Sequence, residues 1–263
     1  MEYELAGGNM SIVTTDGSIV FKESSPQSDT IKRLLNHLED KGITFVPKAY
    51  GFDDKGRQML SFMEGTTVDD YPFSSKLEDK ITIVSKIANM TRVYHDGTLD
   101  FQVKKADNWF LRYNGVLEKE IIAHNDIAPY NVTFIGNSPS GIIDFDVACP
   151  APRIWDIVYA LYRFVPLSKE VYDVEIGNYR EYDKSKDANE RKTLINVFLD
   201  AYGMDLKNKI EATLIQRLSA LVNLFDEQSE KGNEAFIKMK EDGHQAFYVK
   251  EIEFIKEHYQ DWI

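Results

Sequence analysis

The residues with the clearest chemical potential lie between Ile121 and Asp146, in the run IIAHNDIAPYNVTFIGNSPSGIIDFD. Within it, Asp126 and Asn131 precede an apolar run that ends on Asp144. Phosphoryl transfer needs a carboxylate to accept the proton of the attacking hydroxyl, and hard oxygen ligands to hold Mg²⁺ across the phosphates. The order and spacing therefore predict Asp126 as the catalytic base, with Asn131 and Asp144 as magnesium ligands.

A β-hairpin is predicted to bring these side chains together. Two β-prone runs, 131–135 and 141–145, flank a Gly-Asn-Ser-Pro-Ser loop. Pairing through that loop would put Asn131 roughly opposite Phe145, with Asn131 and Asp144 about 5–8 Å apart. The loop carrying Asp126 is kept out of helix by Pro129. The alternative, a surface hairpin with ordinary loop carboxylates, is disfavoured because Ile-Ile-Asp follows at hairpin distance.

The same region resembles the aminoglycoside phosphotransferase family, whose members share the fold of protein kinases and choline kinases. The similarity lies in HNDIAPYNVTF and GIIDFDVACPAPRIWDIVYALYRFVPL, and it extends to MTRVYHD and MLSFMEG. It implies an α+β, protein-kinase-like two-lobe fold, with a small antiparallel β N-lobe at 1–63 and a mostly helical C-lobe at 64–263. It also implies that His124 braces the catalytic loop, because Asp126 already supplies the base, and that Asp156 steadies the same loop.

The N-terminal part would bind the nucleotide, which is expected to be ATP. Lys22 ends a β run, at the position of the strand lysine that clamps the α- and β-phosphates in kinases. The resemblance implies the Ser61 carbonyl and the Met63 N–H as adenine partners, with Leu60 bordering the pocket. Gly8, in a Gly-Gly pair that fits no phosphate-loop pattern, either lets backbone N–H groups approach a phosphate or forms a plain tight turn.

One residue departs from the family pattern. The strand lysine of these proteins usually pairs with a helix glutamate, but Ile31 stands where that glutamate is expected. Asp29 and Glu39 are the two alternatives for the missing acid.

Periodicity predicts the remaining elements. Apolar residues at 31, 34, 35 and 38 predict a helix at 29–41 that ends at Gly42. From Trp155 onward we expect helices alone, with 177–187 as a loop or insert. The other predicted segments are hairpins at 10–13/18–22 and 49–52/58–63 and helices at 77–95, 155–164, 188–202, 206–230 and 244–260.

Composition is that of a soluble enzyme: 43% of the 263 residues are apolar and 28% are charged. The start of the chain lacks the features of a signal peptide, no run approaches the ~18 apolar residues of a membrane span, and Cys149 is the single cysteine. These features predict a cytoplasmic protein. A net charge of −12 argues against nucleic acid or an anionic membrane as partner and is compatible with a cationic substrate.

Three classes of function compete. The leading one is an ATP- and Mg²⁺-dependent phosphotransferase acting on a hydroxyl of a small polar, cationic acceptor such as an aminoglycoside, or alternatively a choline-type or other small-metabolite kinase. A protein kinase is disfavoured, because Asp144 and Asp156 are only 12 positions apart and leave little room for an activation segment. A catalytically inactive nucleotide-binding regulator would retain the fold, but it would not need Asp126, Asn131 and Asp144 together.

Two features could recognise a cationic acceptor, and each has a structural alternative. A carboxylate-rich stretch could offset ammonium groups, or it could be a solvated helix face. An aromatic cluster could enclose a quaternary ammonium, as in choline kinases, or face the core of a helix packing. The first comprises Asp226, Glu227, Glu230 and Glu234, and the second comprises Tyr159, Tyr162 and Phe164.

Overall fold

The computed structural model describes residues 2–5, 13–68 and 76–263; Gly8 lies outside these ranges. The chain divides into two compact units. The first contains residues 89–156 together with the described residues before 69, and the second contains 76–88 and 157–263.

The first unit begins with a five-stranded antiparallel sheet whose strand order is β1-β2-β3-β5-β4. This is the small antiparallel sheet that the sequence predicts. Its strands are β1 (Tyr3–Glu4), β2 (Val13–Thr15), β3 (Ile19–Lys22), β4 (Ala49–Phe52) and β5 (Gln58–Ser61).

Helix α1 (Ser28–Asp40) follows β3 and confirms the predicted helix to within a residue. Its apolar side chains at 31, 34, 35 and 38 are all buried, as their i, i+3, i+4, i+7 spacing requires. The chain leaves the helix at Gly42, whose φ of +74° favours glycine.

The central part of the chain forms two small antiparallel pairs. Strand β6 (Ile121–Ala123) pairs with β9 (Cys149–Ala151), and β7 (Val132–Ile135) pairs with β8 (Ser138–Ile142). Helix α2 (Leu77–Thr98) precedes them. The loop that carries Asp126 therefore starts at the end of β6 and runs into the β7–β8 hairpin.

The register of this hairpin corrects the predicted one. The strands are joined at Gly136 and Asn137, because Ser138 and Pro139 belong to β8 instead of to a five-residue loop. Val132 pairs with Ile142, and the Ile143 N–H donates to the Asn131 carbonyl at 2.9 Å. Asn131 is thus opposite Ile143, not Phe145, and the second strand ends before Asp144.

Seven further elements complete the chain, and α3 starts within the first unit. The expectation of helices alone after Trp155 is wrong, because β10 and β11 form a hairpin. The prediction of a loop at 177–187 is also wrong, because residues 178–181 form a strand. A helix begins directly after Asp183, which caps it by accepting from the Ser185 N–H at 2.9 Å. The elements are α3 (Arg153–Phe164), β10 (Glu170–Asp173), β11 (Asn178–Glu181), α4 (Lys184–Tyr202), α5 (Lys207–Glu230), α6 (Glu234–Glu241) and α7 (His244–His258).

Helix α6 was not predicted, and α5 and α7 match the predicted helices within two residues at each end. Within the described ranges, no helix combines the length and the apolar character that crossing a membrane requires.

Candidate active site

Asp126 and Asn131 are in direct contact. The Asn131 Nδ2 group donates to Asp126 Oδ2 at 2.8 Å and to the Asp126 carbonyl at 3.0 Å. A 3₁₀ turn over Pro129–Asn131 produces this approach, with Ala128 extended, as a residue before proline prefers. The same amide group thus fixes both the side chain and the backbone of the predicted base.

His124 lies at the centre of the loop and is fully buried. Its Nδ1 accepts the Asp126 N–H at 3.2 Å, which leaves the ring hydrogen on Nε2, and Nε2 donates to the Ile143 carbonyl at 3.0 Å. The ring also packs against Phe145, with centroids 4.6 Å apart. The imidazole therefore ties the loop of Asp126 to the segment that leads into Asp144.

Asp156 holds the same loop from the opposite side. This fully buried carboxylate accepts the N–H groups of His124 at 2.7 Å and Asn125 at 2.9 Å, and it contacts His95 Nε2 at 3.0 Å. Burial by itself would raise the pKa of Asp156, but the hydrogen bond and charge of His95 and the contacts with His124 outweigh it and lower the pKa. The loop backbone is thus bound to a carboxylate that stays ionised.

Two residues of the site have a positive φ that only a minority of non-glycine residues adopt. Asn125 has φ +66° and Asp144 has φ +61°. Asn125 is held there by its amide group, which donates to the Val147 carbonyl at 2.9 Å. Such backbone strain, of order 1 kcal/mol or more, persists where surrounding contacts impose it and is concentrated at functional sites. Of the two residues, Asn125 directly precedes Asp126, and Asp144 is itself a predicted metal ligand.

The side chain of Lys22, at the end of β3, contacts two carboxylates that are distant in sequence. Its Nζ lies 2.9 Å from Asp144 Oδ1 and 2.8 Å from Asp146 Oδ2. Asp144 and Asp146 thus share one partner, and both lie beyond the end of β8. The lysine that would clamp phosphates and the carboxylates that would hold a metal form one cluster.

The three charged groups of this cluster shift one another's pKa. Burial by itself would lower the pKa of Lys22, but the negative charges of Asp144 and Asp146 outweigh it and raise the pKa. Burial would raise the pKa of Asp144, and the Lys22 charge and hydrogen bond reverse this, so that the pKa falls. Burial raises the pKa of Asp146; Lys22 opposes the rise and the charge of Asp144 reinforces it. One ammonium between two carboxylates leaves the cluster anionic.

Neither alternative for the missing helix acid pairs with Lys22. Glu39 Oε1 lies 2.7 Å from Lys48 Nζ, and Asp29 contacts Lys32 at 4.0 Å. Ile31, at the family's glutamate position, is 2% exposed and belongs to the core. The lysine therefore has aspartate partners in place of a helix glutamate.

The predicted adenine-binding residues lie at the end of β5 and just beyond it. Leu60 pairs with Val20 in the sheet, and Ser61 Oγ accepts the Lys48 N–H at 2.9 Å. No residue of the described ranges accepts a hydrogen bond from the Met63 N–H, which leaves this donor available. The Met63 side chain packs against Gly141 of β8.

The segment after Met63 is bound to the β7–β8 hairpin. Thr66 and Phe134 exchange two backbone hydrogen bonds of 3.0 and 2.9 Å, and Ser140 Oγ donates to the Glu64 carbonyl at 3.2 Å. Gly65 has φ +119°, and a Cβ at this position would lie 2.7 Å from the Phe134 carbonyl oxygen. The approach of the two segments therefore requires glycine.

The donor set fits Mg²⁺. Asp144 and Asp146 supply hard carboxylate oxygens on side chains that are 46% and 31% exposed, and Asn131 adds an amide oxygen. Among the described residues, no group of three or more His, Cys, Asp or Glu side chains could hold a metal ion. Mg²⁺ in proteins is usually bound by one or two carboxylates and keeps water and phosphate oxygens as its other ligands, so two aspartates beside an amide are a donor set that it could use.

The aromatic cluster and the carboxylate-rich stretch, which were considered for acceptor recognition, are both explained by their structural roles. Tyr159, Tyr162 and Phe164 are at most 4% exposed, so these rings belong to the core. Among the carboxylates, Glu227, Glu230 and Glu234 are exposed, and Asp226 lies 2.6 Å from Lys240 Nζ. The buried Tyr162 donates to Glu251 at 2.9 Å, and the Arg217 guanidinium covers Tyr159 at 4.7 Å.

Sequence reasoning missed two contacts of the site. His95 contacts the buried Asp156. The one sequence signal for His95 was its position in the MTRVYHD segment. The Tyr130 hydroxyl donates to Asp126 Oδ1 at 2.7 Å. Its position between the loop proline and Asn131 was the one available signal.

Comparisons with known proteins identify the family of this chain. A model of the phosphotransferase enzyme family matches residues 69–188. The trifolitoxin immunity protein of Rhizobium leguminosarum bv. trifolii is 31% identical over 210 residues, which cover 78% of this chain and 75% of that protein. The chain therefore belongs to the phosphotransferase enzyme family, a family of kinase-type transferases.

Solved structures establish the fold. Choline kinase from Cryptosporidium parvum aligns with a TM-score of 0.60 at 11% identity, covering 99% of this chain and 90% of that one. Ethanolamine kinase from Plasmodium vivax gives 0.59 at 14%, covering 95% and 81%. The gentamicin complex of the aminoglycoside phosphotransferase APH(2")-IIa gives 0.57 at 13%, covering 97% and 90%. The predicted α+β, protein-kinase-like fold is confirmed.

Proposed function

We propose that this protein transfers the γ-phosphate of ATP, with Mg²⁺, to a hydroxyl of a small polar, cationic acceptor. The observation that carries the proposal is the convergence of the predicted base with the predicted metal residues. Asn131 donates to Asp126 at 2.8 Å, and its carbonyl accepts the N–H of the residue before Asp144. Asp144 in turn contacts Lys22.

Each side chain has a distinct role in this proposal. Asp126 accepts the proton of the acceptor hydroxyl, and His124 holds the loop that carries it. Asn131 and Asp144 would hold the metal, with Asp146 as a further oxygen donor, and Lys22 would contact the phosphates. Mg-ATP, when bound, supplies the phosphoryl group and the divalent charge, which the anionic cluster of Lys22, Asp144 and Asp146 attracts.

The nucleotide base would meet the segment from Leu60 to Met63. The unpaired Met63 N–H offers a donor that does not depend on the side chain, and the Ser61 carbonyl would supply the acceptor beside it. Related structures include an ATP complex of APH(2")-IIa and a GDP complex of the aminoglycoside 2'-phosphotransferase IIIa. ATP and GTP are therefore both tested as donors.

The acceptor is proposed from charge and relatives together. The net charge of −12 favours a cationic compound, and the APH(2")-IIa structures contain the aminoglycosides gentamicin and streptomycin. The immunity protein favours a second, related candidate, in which phosphorylation protects the cell against a toxic compound. Both candidates use the same site.

The test is ADP or GDP release at saturating Mg-nucleotide across aminoglycosides, macrolides, choline, ethanolamine and amino-sugars. Stimulation by a cationic hydroxyl compound, with a phosphorylated product in the mass spectrum, is the expected result. Activity confined to neutral or anionic acceptors would contradict the charge argument alone. Nucleotide binding without transfer to any acceptor or to water would favour an inactive regulator of the same fold.

A further inference from the structure

The hydroxyl group of Tyr130 is in direct contact with the proposed base. Its phenol donates to Asp126 Oδ1 at 2.7 Å, the short distance of a charge-assisted O–H···O⁻ hydrogen bond. Asn131 donates to the other oxygen, Oδ2, at 2.8 Å. The two oxygens of one carboxylate are thus held by adjacent residues.

Both donors belong to the same short 3₁₀ turn. Tyr130 is the middle residue of the Pro129–Asn131 turn, and its neighbours on both sides are buried. Proline fixes the backbone at the start of the turn, and the Asn131 N–H donates to the Ala128 carbonyl at 2.9 Å. The phenol therefore reaches Asp126 from a backbone that has little freedom to move.

A carboxylate needs this kind of support to act as a base. The terminal torsion of an aspartate side chain has a broad, two-fold distribution, so one hydrogen bond alone leaves it free to swing. Each carboxylate oxygen can accept two hydrogen bonds. With Tyr130 on Oδ1 and Asn131 on Oδ2, the carboxylate is fixed in rotation, and one donor on each oxygen does not by itself exhaust what that oxygen can accept.

We propose that Tyr130 is a positioning residue, whose hydroxyl holds the Asp126 carboxylate in the orientation that receives the acceptor's proton. The inference rests on the proposed function and names one more residue of that same site. Tyr130 acts through Asp126, because its hydroxyl donates to the proposed base.

The test is Tyr130→Phe, which removes only the hydroxyl. ADP release is measured with kanamycin, with choline and with water as acceptors, and Mg-ATP affinity by calorimetry. Loss of orientation should lower kcat about ten- to a hundredfold, while the KM and Kd for ATP change less than about twofold and Tm is unchanged. The matched control is Tyr182→Phe in the second unit, which removes a phenol that donates to Asp261 at 3.4 Å and accepts the Trp262 indole N–H at 3.0 Å. This variant should keep the wild-type kcat even if its Tm falls.

The outcomes separate this inference from the proposed function. Asp126→Asn is measured alongside: if it keeps wild-type turnover, the assignment of the base fails. If Asp126→Asn is inactive while Tyr130→Phe has the wild-type kcat, only the role of Tyr130 is refuted. A higher kcat in Tyr130→Phe, or a lower kcat accompanied by equal losses in ATP affinity and Tm, also refutes it. If no acceptor is turned over, crystal structures of the wild type and of Tyr130→Phe are compared instead. The proposal is overturned if the Asp126 carboxylate has the same orientation in both.

Discussion

Replacing Asp156 with asparagine should release the backbone of the catalytic loop. The wild-type carboxylate accepts three hydrogen bonds, two on Oδ2 from His124 N and His95 Nε2 and one on Oδ1 from Asn125 N, in a fully buried place. An asparagine oxygen at the Oδ2 position keeps the first two, but its amide group then faces the Asn125 N–H donor to donor.

The cost follows from the contacts that are lost. Hydrogen bonds to a charged group are worth about 1.5–3 kcal/mol each, and breaking a buried charged pair costs about 3–5 kcal/mol. We therefore expect a local loss of about 3 kcal/mol, and since about 1.4 kcal/mol is a factor of ten, the Asn125 amide should exchange its hydrogen about a hundredfold faster.

Hydrogen exchange followed by mass spectrometry measures this directly. The control, Asp242→Asn, removes a surface pair with Lys238 whose side chains are 51% and 74% exposed, and it should cost at most about 1 kcal/mol. Because the folded pKa of Asp156 is lowered, its contribution is complete above the ordinary aspartate pKa of about 3.9 and is lost only as pH falls through the lower folded value. Exchange at Asn125 equal in the two variants at pH 7 would refute the reasoning.

Two further substitutions test other parts of the site. Lys22→Met removes the cation that Asp144 and Asp146 share, so Mg-ATP affinity measured by calorimetry should fall about 10- to 100-fold; unchanged affinity would show that Lys22 does not contact the nucleotide. Gly65→Ala forces a Cβ to 2.7 Å from the Phe134 carbonyl, whereas Gly17→Ala, also at a positive φ, meets nothing within 4 Å. Gly65→Ala should therefore lower the free energy of unfolding by about 2 kcal/mol more than Gly17→Ala, and equal losses in denaturant titrations would contradict the close approach.

The parts of the fold that sequence predicts are those with local signatures. The apolar spacing in α1 specifies which side of the helix is buried, and all four predicted positions are buried. Strand β4 coincides with the predicted 49–52 run. In both cases the period of the side chains, and not a distant contact, determines the element.

The hairpin register was missed because proline normally argues against a strand. Pro139 is tolerated here because β8 belongs to a two-stranded sheet, where an edge position needs no N–H donor, and because the register shifts between Thr133 and Phe134. The predicted five-residue loop thus shrinks to the turn at Gly136, whose φ is +58°.

For the candidate site, the sequence shows the motif but not the contacts between its residues. Asp126, Asn131 and Asp144 follow from spacing, but the pairing of Lys22 with Asp144 joins residues 122 positions apart and has no periodic signal. The contact of Tyr130 with Asp126 arises in an irregular loop, where no helical or strand period tells which way a side chain points. Such contacts depend on tertiary packing, which the pattern of residue types does not record.

The most direct test of the proposed chemistry is a paired measurement on Asp126→Ala and Asp144→Ala: the rate of ADP release with an identified acceptor, and the affinity for ATP with and without Mg²⁺. Loss of the base should lower kcat by about 10²–10⁴ while Mg-ATP binding is unchanged. Loss of Asp144 should instead abolish the gain in ATP affinity that Mg²⁺ provides. Full activity in Asp126→Ala, or Mg²⁺-dependent binding that survives in Asp144→Ala, would contradict the assignment of base and metal ligand.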